Sequence, residues 1–286
     1  MKKYLLLLLL SFSMLAFSQR RGTCITVGTA PGYDVDAQAY ITAHGSLSVP
    51  HQTAVNNLFT TLKTDGTYTK LRALWIPLWG NAADDKWNII NPLDTDAAFR
   101  LTFGGTVTHS IDGVNSDGST GFIDTKFNAN TESTVITNMS MGIYKPVADP
   151  LGSTRVFMGA SDGTNYLWLG LVNGGNRESV VMAGNLQDYA PNQLNGTLTG
   201  MMIGNIGSGT RLLTYYQDGV AFTPSVIQDE SAFPDYNIYL LASNGSGVVE
   251  LEALTTKIKL AYVGDSLTPS EVALVSTAFT IFINAL

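Results

Sequence analysis

The chain has 286 residues, 14% of them charged, and a formal net charge of −7. No Lys/Arg cluster follows Arg20-Arg21, which excludes a nucleic-acid binder of the usual kind, since that needs a basic stripe. The single cysteine, Cys24, excludes an intramolecular disulfide and reads as an unpaired thiol.

Lys2 and Lys3 precede an apolar run, Tyr4 to Phe17. A membrane-spanning helix needs about 20 residues, and this run is shorter, so it reads as an export signal. Ala16-Phe17-Ser18 offers the small residues of a cleavage site, and the cut is placed after Ser18. The layout expected is a signal peptide over 1–18, a leader over 19–34, a helical region over 35–70 and a β domain over 71–286. The leader is broken by Gly22, Gly28, Pro31 and Gly32. No later run is long enough to span a bilayer, so the mature chain is expected not to cross one.

Within 35–70, Ser48-Val49-Pro50 opens a helix, proline being suited to a first helical turn. Ala54, Val55, Leu58, Phe59 and Leu62 then recur on one face. From Leu71 the texture changes to short apolar runs between Gly, Asn, Asp and Pro clusters. Leu71–Leu78, Phe99–Phe103, Gly121–Phe127, Arg155–Gly159, Asn165–Val172 and Thr199–Ile206 read as strands, as does the long stretch Val248–Ala261. Asp162-Gly163 and Asp218-Gly219 read as type I′ hairpin turns. Many short strands with such turns predict a sandwich or jelly roll. Thr268-Pro269-Ser270-Glu271 matches a capping box and opens a closing helix over 268–286.

Chemistry is sparsely signalled. Only His44, His51 and His109 are present, and the seven-residue His44–His51 spacing crosses a glycine and a proline. No zinc-type spacing occurs, so no metal site is expected. Ile111 to Gly118 is rich in oxygen ligands, but its offsets do not fit an EF-hand loop. It reads as a Gly/Asp turn; no cofactor is expected, calcium being the sole candidate. Glu250 and Glu252 share one strand face at i, i+2 and are the candidate pair for a glycosidase, which needs two carboxyl groups close together. The plainer reading is a solvent-facing strand. Sugar recognition needs an aromatic face with orienting polar groups. Tyr189 with Asn192, in a polar loop, and Trp79, between Pro77 and Gly80, are the ligand-binding candidates; Trp168 reads as core.

Three segments carry a family resemblance: Asp94-Thr95-Asp96-Ala97-Ala98-Phe99-Arg100-Leu101, Gly104-Gly105-Thr106-Val107-Thr108-His109-Ser110 and Gly118-Ser119-Thr120-Gly121-Phe122-Ile123-Asp124-Thr125. Together they resemble the laminin-G-like, concanavalin A-like module of virion proteins, tail fibres or spikes, of phages that infect Bacteroidetes. The helical stretch Asp36–Lys70 and the closing Gly264–Thr268 are similar too. The export signal departs from that pattern, and its Phe-Ser-Gln junction resembles exported flavobacterial proteins.

The expectation is a mainly β, concanavalin-like (LamG-like) jelly-roll sandwich with N-terminal helices and a C-terminal helix. Its function is expected to be non-enzymatic, lectin-like recognition of a cell-surface glycan or receptor, as a phage spike would perform it. The alternatives are a structural decoration making only protein contacts, and a glycoside hydrolase on the same fold. A homo-oligomer or a virion protein partner is expected, and an extracellular, cell-surface or virion-surface location.

Overall fold

The computed structural model describes residues 32–133, 135–148, 155–172, 177–184, 190–195, 199–227, 232–250 and 257–286. Tyr33–Leu286 forms one compact unit.

The chain opens with helices α1 (Val35–His44) and α2 (Val49–Thr64). The Asp34 carboxylate caps α1 by accepting the N–H groups of Asp36 and Ala37, and Gly45 closes it at φ 76°. Ser48 caps α2 through the His51 N–H, and Pro50 sits in its first turn. Strand β1 (Leu71–Trp75) follows, then the one-turn helix α3 (Ala82–Asp85). Next come β2 (Thr102–Gly104), β3 (Val107–Ser110), β4 (Gly113–Ser116), β5 (Phe122–Asn128), helix α4 (Ala129–Glu132) and β6 (Met139–Lys145). The middle of the chain supplies β7 (Arg155–Ser161), β8 (Tyr166–Val172), β9 (Arg177–Gly184), β10 (Ala190–Asn195), β11 (Gly200–Ile206), β12 (Leu212–Gln217) and β13 (Val220–Ile227). The last elements are β14 (Asn237–Leu240), β15 (Ser243–Gly245), β16 (Val248–Glu250), β17 (Leu260–Gly264) and helix α5 (Pro269–Asn284).

The strands build a mainly β sandwich. One sheet runs β1-β17-β6-β11-β12-β13, and the other runs β10-β9-β8-β7-β14-β5-β2 with β15 and β16 attached. Period-2 alternation gives the first sheet two apolar faces. Ala73, Trp75, Met202, Tyr215, Ala261 and Val263 face the second sheet, meeting Phe157, Leu167, Leu169 and Val180. Leu74, Met201, Ile203, Tyr216, Leu260 and Tyr262 face α1, α2 and α5. The result is three layers, with the helices on one side and the first sheet in the middle. Val55, Leu58, Phe59 and Leu62 of α2 pack there with Val272, Val275 and Phe279 of α5. The α5 capping box forms as its sequence predicts: Thr268 accepts the Glu271 N–H, and Glu271 accepts the Thr268 N–H.

Several expected elements change in the structure. Of the two Asp-Gly hairpins, Asp218 and Gly219 both take positive φ, 50° and 82°, as a type I′ turn requires. At the other, only Gly163 is positive, and Asp162 instead accepts the N–H groups of Thr164 and Asn165 across a wider loop. The expected strand from Phe99 starts later, because Phe99 itself is left-handed at φ 57° and its carbonyl accepts the Trp75 indole N–H at 2.6 Å. The Val248–Ala261 stretch contains β16 and the start of β17, with 251–256 outside the described residues.

Ile111 to Gly118, read as a turn, holds the tip of the β3–β4 hairpin and all of β4. Asp117 beyond it is an N–H acceptor: its Oδ1 takes Ser119, Thr120 and Gly121 at 2.8–3.0 Å, and its Oδ2 takes the Thr120 hydroxyl. Among the described residues, no cluster of three or more His, Cys, Asp or Glu side chains could hold a metal ion. Among those residues too, no helix is long and apolar enough to cross a membrane.

Candidate functional site

Beyond β1 the chain turns at Gly80, whose φ is 85°. Asn81 then caps α3 by accepting the Ala83 and Asp84 N–H groups. This short helix delivers Asp85 inward, where it is 1% exposed. One carboxylate oxygen accepts the Trp79 backbone N–H at 2.6 Å. The other lies 2.6 Å from Nδ1 of His109 on β3. The His109 ring packs against Phe103, with ring centroids 4.6 Å apart and near-perpendicular planes.

Trp79 is thereby fixed against the α1–α2 corner. Its ring meets His44 at 5.2 Å, edge to face, and His51 at 5.4 Å. His44 also meets Tyr40 at 5.8 Å. His44 is the last residue of α1 and His51 lies in the first turn of α2. Two helices joined by a tight corner thus bring together what a single helix could not. All three histidines of the chain lie within one residue of Trp79: two by ring contact, the third through Asp85.

A cavity of about 620 Å³ opens here. Trp79, His44, His51 and Asp84 form one wall, and Ile111 and Asp112 at the β3–β4 tip form another. Lys259, Ile283 and Leu286 close it, with Ser46, Leu47, Ser48 and Leu78 at the corner. The size and the mixture of aromatic, aliphatic and hydrogen-bonding side chains match a small-molecule site.

Burial governs the electrostatics. It raises the Asp85 carboxyl above the ordinary aspartate value, with the His109 bond and the Trp79 N–H pulling the other way. Burial lowers His44, which favours its neutral ring, while Asp84 opposes the shift. His44 Nδ1 lies 3.2 Å from the Ser46 hydroxyl, and its Nε2 has no hydrogen-bond partner. Trp79 Nε1 likewise has none at bonding distance, although it faces the buried Tyr40 hydroxyl closely enough to oppose the upward shift that burial gives it.

Of the residues singled out in the sequence, Trp79 lies in this cavity. Asn192 is on β10, at the edge of the other sheet. Tyr189 and Glu252 lie outside the described residues. Glu250 is exposed on the short β15–β16 hairpin. Trp168 is core, 4% exposed, with its indole N–H donated to Ser243 Oγ at 2.8 Å. His44, His51, Asp84, Asp85, His109 and Asp112 were not singled out as partners of Trp79, because no local spacing joins them.

No family model matches the chain, and no curated protein matches it. Solved structures do. Trypanosoma rangeli sialidase, in a mutant form with trans-sialidase activity, matches at TM-score 0.52 and 11% identity over 81% of this chain and 39% of that one. The same sialidase with 2,3-difluorosialic acid as covalent intermediate matches at TM-score 0.53 and 12% identity, over 80% and 40%. Domain 4 of a GH43 extracellular arabinanase from Geobacillus stearothermophilus, with arabinotriose, matches at TM-score 0.45 and 14% identity, over 72% and 98%. The chain spans about two fifths of the length of the sialidases it matches.

These likenesses correct one expectation. The sequence pointed to a protein that is not an enzyme, on the ground that no catalytic motif is visible. The fold proves to be one that occurs within sialidases, which are glycoside-cleaving enzymes. A missing local motif is therefore no argument against such chemistry: catalytic side chains can be assembled from separate segments, as the Trp79 cavity itself is assembled. At this level of identity the likeness shows a shared β-sandwich fold and nothing finer.

Proposed function

We propose that this chain is a carbohydrate-engaging domain that takes glycan in the Trp79 cavity, and that its sandwich is a jelly roll of the concanavalin type. The observation that carries this reading is the cavity itself. It places an indole and aliphatic side chains for the apolar faces of a sugar beside histidine, serine and aspartate groups for its hydroxyls. The shared sialidase fold is consistent with it. The resemblance to virion modules and the export signal fit action outside the producing cell, on a cell or virion surface.

The test is a glycan array, together with flavobacterial envelopes, probed with the chain from Gln19 onward, with and without calcium. Saturable binding that Trp79→Ala abolishes is expected. Binding that survives Trp79→Ala would move the site elsewhere, and absence of binding on every surface would favour a structural decoration.

A second reading, glycoside hydrolysis, is favoured by one observation: Asp84 and Asp112 line the same cavity from opposite elements. Two carboxyl groups are what such chemistry uses, one as acid and one as base or nucleophile. Reducing-sugar release that vanishes in both Asp84→Asn and Asp112→Asn, with binding retained, would establish it. Release unaffected by both would dismiss this pair.

A further inference from the structure

We propose that Asp85 and His109 are the positioning pair of the Trp79 cavity: one buried carboxylate ties the Trp79 wall to the hairpin wall, and ligand affinity depends on that tie. The inference rests on the cavity being the ligand site.

The geometry shows why the tie matters. Trp79 sits on an irregular segment between β1 and α3, with no sheet partner to set its position. Its backbone N–H is held at 2.6 Å by Asp85. The hairpin carrying Ile111 and Asp112 forms a separate two-stranded sheet, so neither main sheet fixes it through its own ladder. Beside its core side chains Val107 and Val114 and the Lys257–Asp112 ion pair at its tip, two bonded contacts set it against the cavity. On β3, His109 Nδ1 meets the second Asp85 oxygen at 2.6 Å. On β4, Val114 exchanges backbone hydrogen bonds with Ile258, at 3.0 and 2.9 Å. Gly113 lets this second contact close: its φ is 106°, and a Cβ there would lie 2.5 Å from the Ile258 carbonyl oxygen.

The second anchor brings the hairpin to Lys259, a lining residue, and the first brings it to Trp79. Asp85 therefore bonds the Trp79 backbone and the hairpin through one carboxylate, one oxygen to each. Neither Asp85 nor His109 lines the cavity, so the pair acts on ligand through what it holds. The ionisable groups that act on the Asp85 carboxylate, besides His109, are Asp84 on the same helix and Tyr40 from α1. His109 Nδ1 faces the carboxylate at 2.6 Å, so the tie is a short hydrogen bond in a dry setting.

The experiment uses the full domain, with sialic acid and arabinotriose as probes. Asp85→Ala is expected to weaken whichever probe binds by about tenfold, the scale of one lost bond to a charged group. Asp85→Asn keeps an acceptor for the Trp79 N–H and a polar partner for Nδ1, so it should recover affinity to within about twofold. Equal affinity in wild type and Asp85→Ala, where Trp79→Ala abolishes binding, would overturn the pair and leave the cavity reading intact. Binding indifferent to Trp79→Ala would overturn the cavity reading instead.

A second measurement needs no ligand and covers an Asp85→Ala protein that folds poorly. The Trp79 backbone amide resonance should shift between wild type and His109→Asn, because the Asp85 carboxylate that accepts its N–H also holds His109 Nδ1. A Trp79 amide resonance unchanged in His109→Asn would overturn the proposal.

Discussion

Asp85 and Asp117 flank the same hairpin and show what decides the state of a carboxylate. Asp85 is buried and has two partners, and burial outweighs them, so its pKa rises. Asp117 is exposed and collects three backbone N–H groups and a hydroxyl, so its pKa falls well below the ordinary range. The backbone bonds to Thr120, Ser119 and Gly121 are the main cause. A carboxylate in water with several donors gains from being charged. One taken out of water with few donors gives up hydration for position. The exposed residue shapes its own loop, whereas the buried one joins distant segments.

The sharpest way to break this contrast is Asp85→Ala. It strips a partner from His109 and an acceptor from Trp79 in a dry site, and should cost about 3 kcal/mol in urea unfolding. Gly113→Ala tests the second anchor. It places a Cβ against the Ile258 carbonyl and forces an alanine to a positive φ, so a loss of about 2 kcal/mol is expected.

Smaller effects come from pH, and they run in opposite directions. Folding raises the Asp85 pKa, so the destabilisation from its buried charge is present above the raised value and relieved as pH falls through it. Wild type should therefore gain on Asp85→Asn as pH falls from 7 toward 4. Folding lowers the Asp117 pKa, so its contribution is present above the ordinary aspartate value and lost as pH falls toward the lower folded one. The difference between wild type and Asp117→Asn should shrink on acidification, and at neutral pH it should be the smallest of the set. Urea titrations at pH 7, 5.5 and 4 would show both trends, and parallel curves would contradict the contrast.

Legibility in the sequence followed the range of the interactions. The α2 apolar face, the α5 capping box and the Asp218-Gly219 turn are local patterns, and each appears in the structure. The β3–β4 hairpin was hidden because its strands are four residues long and polar, so their alternation carries little signal. The cavity was visible only as Trp79. Asp85 and His109 are 24 residues apart and meet across separate elements, and no spacing rule reaches that far. The His44–His51 spacing, broken by Gly45 and Pro50, carries no sign of the corner that turns both rings toward the same indole.

The order of strands has a consequence for how the molecule is made. Strand β1 pairs with β17, joining Leu71–Trp75 to Leu260–Gly264. Nearly two hundred residues separate the two, so β1 emerges from the ribosome long before its partner exists. Loop closure on that scale is slow, and an unpaired apolar strand is a hazard while it waits. Helices α1 and α2 precede β1 and could shelter its outward side chains, Leu71 and Leu74, during that interval. The inward Ala73 and Trp75 gain their cover only when the second sheet packs over them. The early helices would then act as a temporary chaperone for the first strand of the sheet.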